Sequence, residues 1–257
     1  MLLTIDIGNS HIVGGIFDQK HLRAAWRLAT DQTKTTDEYG ILSLSLLDSY
    51  GIATSEITGC IISSVVPPIT VVFESMVKTF FQQNPIIVSY KSPLGLTLRY
   101  QHPQEIGTDR LVNAAAAFDR YQRALIIVDF GTATTFCTIT TSGEYLGGAI
   151  APGLKSSADS LHLQTAQLPI IDLVRPPRVI GTDTTTSMQS GLIFGYSGLV
   201  DELVRRIQEE IEETTYVIAT GGLATVISQI SSTIDEVRPN LTLEGLELLY
   251  RRTISLQ

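Results

Sequence analysis

The stretch TIDIGNSHIVGGIF, residues 4–17, breaks an apolar strand with Asp6, Gly8, Asn9 and Ser10, then resumes it. A second stretch, VDFGTATTFCTIT at residues 128–140, does the same with Asp129, Gly131 and Thr132. Asp6 aligns with Asp129, Gly8 with Gly131 and Asn9 with Thr132. Each reads as strand, Asp-x-Gly turn, strand. One such turn is an ordinary hairpin. Two of them, with matching flanks and nearly half a chain apart, point to a duplicated domain divided at 1–118 and 119–257, with a cleft between the halves.

The residue types at these turns suit a phosphate. Glycine lets the backbone approach closely. Backbone N–H groups and the small side chains of Asn9, Ser10, Thr132 and Thr134 offer donors without bulk. The carboxylates of Asp6 and Asp129 can hold a hydrated cation that offsets phosphate charge. Other nucleotide signatures are absent. No lysine follows a glycine, so there is no G-x-x-x-x-G-K-[ST] loop. No two glycines stand at i and i+2, which excludes G-x-G-x-x-G. Nor is there a G-x-S-x-G elbow. Gly221-Gly222 follows a buried strand and reads either as a place where an adenine or ribose passes the backbone or as a plain strand-to-helix turn.

Outward from the two hairpins, the apolar pattern predicts strands over 2–7, 12–17, 60–65 and 85–89. Helices are predicted over 36–50, opened by a Thr35-x-x-Glu38 capping box, over 69–83 after Pro67-Pro68, and from residue 108 through Ala114–Ala117. The pattern then restarts with strands over 125–129, 136–140 and 145–151 and helices over 154–166 and 188–213. A strand over 216–220 and a helix over 243–252 complete an α/β chain.

Bulk properties narrow the function. The 257 residues are 44% hydrophobic and 17% charged, enough to bury a core. A net charge of −8, with Lys20, Lys34, Lys78, Lys91 and Lys155 scattered, speaks against nucleic acid or an anionic membrane as partner. No apolar run reaches the roughly 18 residues of a membrane span, and the opening residues read as a core strand, not a signal peptide. Cys60 and Cys137 lie far apart and read as buried thiols in a reducing cytosol. His11, His21, His102 and His162 lack ligand spacing, which argues against a histidine-built zinc or haem site.

A further cluster lies in LRYQHPQEIGTDRLVNAAAAF, residues 98–118, where Asp109 and Arg110 fall in the first turn of a predicted helix. An acidic residue there is favoured by the helix dipole alone. The pair can also do chemistry: Asp109 as acceptor of a hydroxyl proton, Arg110 as partner of an anionic substrate group.

Taken in order, the motifs resemble the type III pantothenate kinases of the acetate and sugar kinase/Hsc70/actin superfamily. They are D-I-G-N-S at 6–10, Tyr100, G-T-D-R at 107–110, D-F-G-T-A-T-T at 129–135 and G-G-A-I-A-P-G at 147–153. A-x-L-P at 166–169, G-T-D-T-T-T-S-M-Q-S-G at 181–191 and T-G-G at 220–222 continue the series.

The resemblance implies duplicated ribonuclease H-like (actin-like ATPase) domains, with mixed sheets flanked by helices. It implies ATP-dependent phosphorylation of pantothenate to 4′-phosphopantothenate, the first step toward coenzyme A, by a cytoplasmic homodimer. Asp6, Ile7, Gly8, Asn9, Ser10, His11, Ile12 and Val13 would form the first phosphate loop, and Thr132 would meet ATP from the second. Asp6 would hold magnesium through water, and Asp129 a monovalent cation, potassium or ammonium. Tyr100, Gly107, Thr108, Asp109 and Arg110 would line the pantothenate site with Asp109 as base, and Thr184 would reach the substrate of the neighbouring subunit. His11 reads as a solvent-facing hairpin residue or a phosphate contact, and Asp183 stands where this family often has Asn. The rival readings are another small-metabolite kinase of the superfamily and a nucleotide-binding transcriptional regulator of the same fold.

Overall fold

In the computed structural model, which describes residues 1–256, β1 (Leu2–Ile7), β2 (His11–Asp18) and β3 (His21–Ala29) form an antiparallel meander. The first helix, α1 (Thr36–Ser49), starts on the anticipated capping box: Glu38 N–H donates to Thr35 Oγ1, and Thr35 N–H donates to the Glu38 carboxylate at 2.8 Å. Next, β4 (Gly59–Ser64) runs parallel to β1, α2 (Pro67–Phe81) returns behind its N-terminal prolines, and the short β5 (Ile86–Ile87) extends the sheet to the order β3-β2-β1-β4-β5.

The chain then lays down β6 (Thr97–Leu98), α3 (Thr108–Tyr121), β7 (Leu125–Phe130), β8 (Ala133–Ile139), β9 (Glu144–Gly147) and β10 (Ile150–Pro152). These are followed by α4 (Leu154–Leu163), α5 (Thr184–Ile211), β11 (Tyr216–Gly221), α6 (Ala224–Ser228), β12 (Glu236–Val237) and α7 (Leu241–Ile254). The second sheet has the order β12-β11-β7-β8-β9-β6, with β10 paired to β8. The single strand anticipated over 145–151 is two strands, because Gly147 and Gly148 both take positive φ and break the run.

The duplication is visible in the strand pairing. In both sheets the first and second strands pair antiparallel, and so do the second and third. The first also pairs with the strand after a helix in parallel, and that strand takes a short parallel neighbour. The hairpins differ by one residue. Asp6 faces Val13, seven residues on, while Asp129 faces Thr135, six on. Equivalence beyond the turn therefore shifts, and Thr134 stands where the first half has Ile12.

The chain packs as two compact units: Met1–Gly95 with His102–Ala116 and the chain from Leu241 on, and Leu96–Gln101 with Ala117–Asn240. The change at 116/117 lies close to the 118/119 division read from the sequence. The last helix departs from that division, since α7 belongs to the first unit. Its Leu243 lies against Gly15, and Gly245 lets it approach Val112 of α3. Burying Leu241, Leu246 and Leu249 there outweighs proximity in sequence.

Candidate active site

In the first unit the hairpin turn closes with the Gly8 N–H donating to the His11 carbonyl at 2.9 Å. Thr30, just past β3, braces it: its Oγ1 donates to the Gly8 carbonyl at 2.6 Å and its N–H to the Ser10 carbonyl at 3.1 Å. Asn9, Ser10 and His11 are exposed, Asp6 and Val13 half-buried, and Ile7 and Ile12 belong to the core. Of the anticipated phosphate loop, Ile7 and Ile12 thus have only backbone groups to offer a ligand.

The parallel register brings a second group to the same end of the sheet. Asp6 lies beside Ser63 of β4, and Ser63 Oγ is 3.0 Å from Thr108 Oγ1 at the start of α3. Asp109 follows. Its Oδ1 accepts from the Arg110 N–H at 2.8 Å. Burial raises the Asp109 carboxyl above its ordinary value, against the Arg110 N–H and guanidinium, which favour the charged form. Arg110 is only 7% exposed. Asp6, Thr108, Asp109 and Arg110 are therefore gathered at one end of the first sheet.

In the second unit the Gly131 N–H donates to the Ala133 carbonyl at 3.1 Å, and Ser156 of α4 donates to the Thr132 carbonyl at 2.8 Å. Thr132 is exposed and Asp129 half-buried. Thr134 is fully buried and its hydroxyl has no hydrogen-bond partner, so it is not a loop donor. The Thr220-Gly221 end of β11 lies beside Asp129-Phe130 in parallel register. At Gly221, φ is +90°, and a Cβ would come within 2.6 Å of Asp129 Oδ1. Glycine there lets the strand end pass against the carboxylate. Tyr100, half-buried, lies at ring distance from Tyr145 (6.4 Å between centroids).

Thr184 is the first residue of α5, exposed, next to the N-cap Asp183. The Asp183 carboxylate accepts from the Thr186 N–H at 2.8 Å, and this bond holds its pKa below the ordinary value. The extra carboxylate is thus committed to the helix start. An open cavity of about 790 Å³ lies here, lined by Leu161, Leu168, Thr184, Met188 and Leu192. The sequence reading missed Ser63 and Ser64. Their signal, two hydroxyls ending an apolar strand before Pro67-Pro68, was present but had no partner until α3 was placed.

Among the described residues no group of three or more His, Cys, Asp or Glu side chains could hold a metal.

Residues 2–206 match the family described as Type III pantothenate kinase. A type III pantothenate kinase of Citrifermentans bemidjiense is 50% identical over 252 residues, covering 98% of this chain and 99% of that protein. One from Geobacter sulfurreducens is 48% identical over 252 residues, with the same coverage. Among solved structures, a Campylobacter jejuni protein described as a Baf family transcriptional activator has a TM-score of 0.64 at 17% identity, covering 98% of this chain and 99% of its own. Component A of the Acidaminococcus fermentans (R)-2-hydroxyglutaryl-CoA dehydratase has a TM-score of 0.57 at 11% identity, covering 100% and 99%. The Thermus thermophilus ROK hexokinase scores 0.52 at 11% identity, covering 99% of each chain. At such identities the structural likeness carries the fold alone, a duplicated actin-like ATPase architecture. With half of the residues shared end to end, the assignment comes from the sequence comparisons: the chain belongs to the type III pantothenate kinase family.

Proposed function

We infer that this protein transfers the γ-phosphoryl group of ATP to the primary hydroxyl of pantothenate, giving 4′-phosphopantothenate, the first step of coenzyme A biosynthesis. Family membership supports the reaction. The observation that carries the residue-level reading is Asp109: a part-buried carboxylate, raised in pKa, in the first turn of α3 at the end of the sheet that also holds Asp6. In this reading Asp109 takes the hydroxyl proton, and Arg110 supplies the adjacent positive charge. Gly8 to Ser10 and Thr132 meet the phosphates, while Tyr100 offers a ring face to pantothenate. Phosphoryl transfer asks mainly for positioning and charge stabilisation, and these groups supply both.

A divalent metal accompanies ATP in kinases generally. We assign it as magnesium, held by phosphates, water and Asp6. Asp129, with the end of β11 against its carboxylate, takes the monovalent cation, potassium or ammonium. The protein acts in the cytoplasm as a homodimer in which Thr184 serves the neighbouring subunit. Exposed Leu163 (80%), Ile170 (78%) and Ile180 (82%), in the segments just before α5, support an interface there. No helix among the described residues is long and apolar enough to cross a membrane.

The test is ADP release with pantothenate, with and without potassium. Activity that requires pantothenate and rises with potassium is the expected result. Release independent of pantothenate would overturn the reading. The regulator reading gains nothing from the Campylobacter jejuni likeness, which at 17% identity shows fold only.

A further inference from the structure

We propose that Thr30 and Ser156 are positioning residues for ATP: each ties off a backbone carbonyl of one Asp-x-Gly turn and so holds that turn in the peptide orientation a phosphate needs. The proposal rests on the reading of the two turns as phosphate loops. A loop that meets phosphate must show it N–H groups, and a carbonyl oxygen turned the same way repels it. The carbonyls of such a loop therefore need donors elsewhere.

In the first turn those donors are in place. The Thr30 hydroxyl donates to the Gly8 carbonyl at 2.6 Å, the Thr30 N–H to the Ser10 carbonyl at 3.1 Å, and the Gly8 N–H to the His11 carbonyl at 2.9 Å. In a trans peptide the C=O and N–H point opposite ways. Holding the Gly8 carbonyl toward Thr30 thus turns the Asn9 N–H to the other side of the turn. Thr30 itself lies outside the hairpin, half-buried on the chain just after β3.

The second turn reaches the same end through a different element. Ser156, in the first turn of α4, donates to the Thr132 carbonyl at 2.8 Å, and the Gly131 N–H donates to the Ala133 carbonyl at 3.1 Å. Helix α4 comes so near because its N-cap, Gly153, has no side chain. A Cβ there would run into the Thr132 oxygen and stand 2.7 Å from the Gly131 oxygen, both backbone atoms that cannot swing aside. The start of α4 is anchored in turn by Tyr196 of α5, whose hydroxyl donates to the Pro152 carbonyl at 2.7 Å. A strand end braces one turn and a helix start the other, so the shared feature is the tied carbonyl and not a duplicated sequence. A hydroxyl carries one proton. With that proton given to a carbonyl, Thr30 and Ser156 act on a phosphate through the peptides they hold.

The experiment is calorimetric titration of the full chain with ADP and magnesium, alongside kcat, KM for ATP and for pantothenate, and melting temperature, in the parent, Thr30→Val, Thr30→Ser and Ser156→Ala. Thr30→Val and Ser156→Ala should each weaken ADP binding and raise KM for ATP by roughly 3–10-fold, the ratio expected for one lost hydrogen bond, with KM for pantothenate within about twofold of the parent. Thr30→Ser keeps the hydroxyl and should bind ADP as the parent does. Parental ADP affinity in Ser156→Ala or Thr30→Val, even with a lower melting temperature, would mark a merely structural brace and overturn the proposal. So would a raised pantothenate KM at unchanged ADP affinity, or an equal loss of affinity in Thr30→Ser and Thr30→Val. Ser156 is exposed, so Ser156→Ala decides if Thr30→Val does not fold. Should the parent itself fail to bind ADP, the reading of the turns as phosphate loops fails instead, and the two failures stay distinct.

Discussion

Thr134 shows how a one-residue difference between two hairpins becomes a defect. The second hairpin is shorter by one residue, so Thr134 takes the place of Ile12 and carries a hydroxyl into a fully buried position without a partner. Leaving such a group unsatisfied costs about 1–3 kcal/mol. Thr134→Val keeps the shape and the β-branch and removes the hydroxyl. It should stabilise by about 1 kcal/mol and raise the melting temperature by roughly 2–4 °C. A lower melting temperature would mean that the hydroxyl is satisfied in solution. If Asp109 is the base we propose, it is the opposite case, a cost kept for function. Its folded pKa lies above the unfolded value, so its contribution to stability is full below the unfolded pKa and is lost as pH rises through the folded one. At neutral pH the group therefore costs the folded protein stability that it does not cost at low pH. Asp109→Asn should melt higher than the parent at pH 7, while the difference shrinks or reverses toward pH 3. A dipole-only role for Asp109 predicts a lower melting temperature at pH 7, so thermal scans at the two pH values separate the readings.

Elements were legible where their signals are local. Thr35-x-x-Glu38 started α1, while Pro67-Pro68, read as a break before a helix from residue 69, are themselves the first residues of α2. Both Asp-x-Gly turns lie where the residue types put them. The helix anticipated from residue 188 begins four residues earlier, at Thr184. The run Thr184-Thr185-Thr186-Ser187 shows no apolar period, and its start is declared only by Asp183 reaching Thr186. The edge strand β3 passed unnoticed although Leu22, Ala24, Trp26 and Leu28 alternate with Arg23 and Arg27. Contacts between distant elements had no sequence signature: Thr108 on Ser63, and Gly221 on Asp129. The second of these supports a test at the junction of β7 and β11. If Asp129 holds a monovalent ion there, activity should be low in sodium or Tris buffers and rise in potassium or ammonium. Asp129→Ala should lower activity and abolish the salt response. Equal rates of the parent in all four salts would remove the cation from this position.

At the scale of the whole molecule, the question is how many chains make one site. Thr184 is exposed, beside an open cavity and a run of exposed apolar side chains, and its own capping neighbour is already committed to α5. A surface of that kind on a water-facing chain calls for a cover, and in a two-fold dimer the same patch serves both copies. If Thr184 completes the partner's site, two separately inactive chains can rescue each other. Asp109→Asn lacks the base but keeps Thr184. Thr184→Arg keeps the base but blocks the neighbour's site, and an arginine at so exposed a position leaves the fold intact. In a mixed dimer one site receives Asp109 from one chain and Thr184 from the other, and that site is whole. Random association of equal amounts makes half of the dimers mixed, each with one of two sites intact, so recovery should approach about a quarter of parental activity. The measurement is ADP release before and after the two variants are unfolded together and refolded, with native mass spectrometry to count mixed dimers. Mixed dimers present without recovered activity would show that each chain builds its site alone, and a monomer in the mass spectrum would remove the interface altogether.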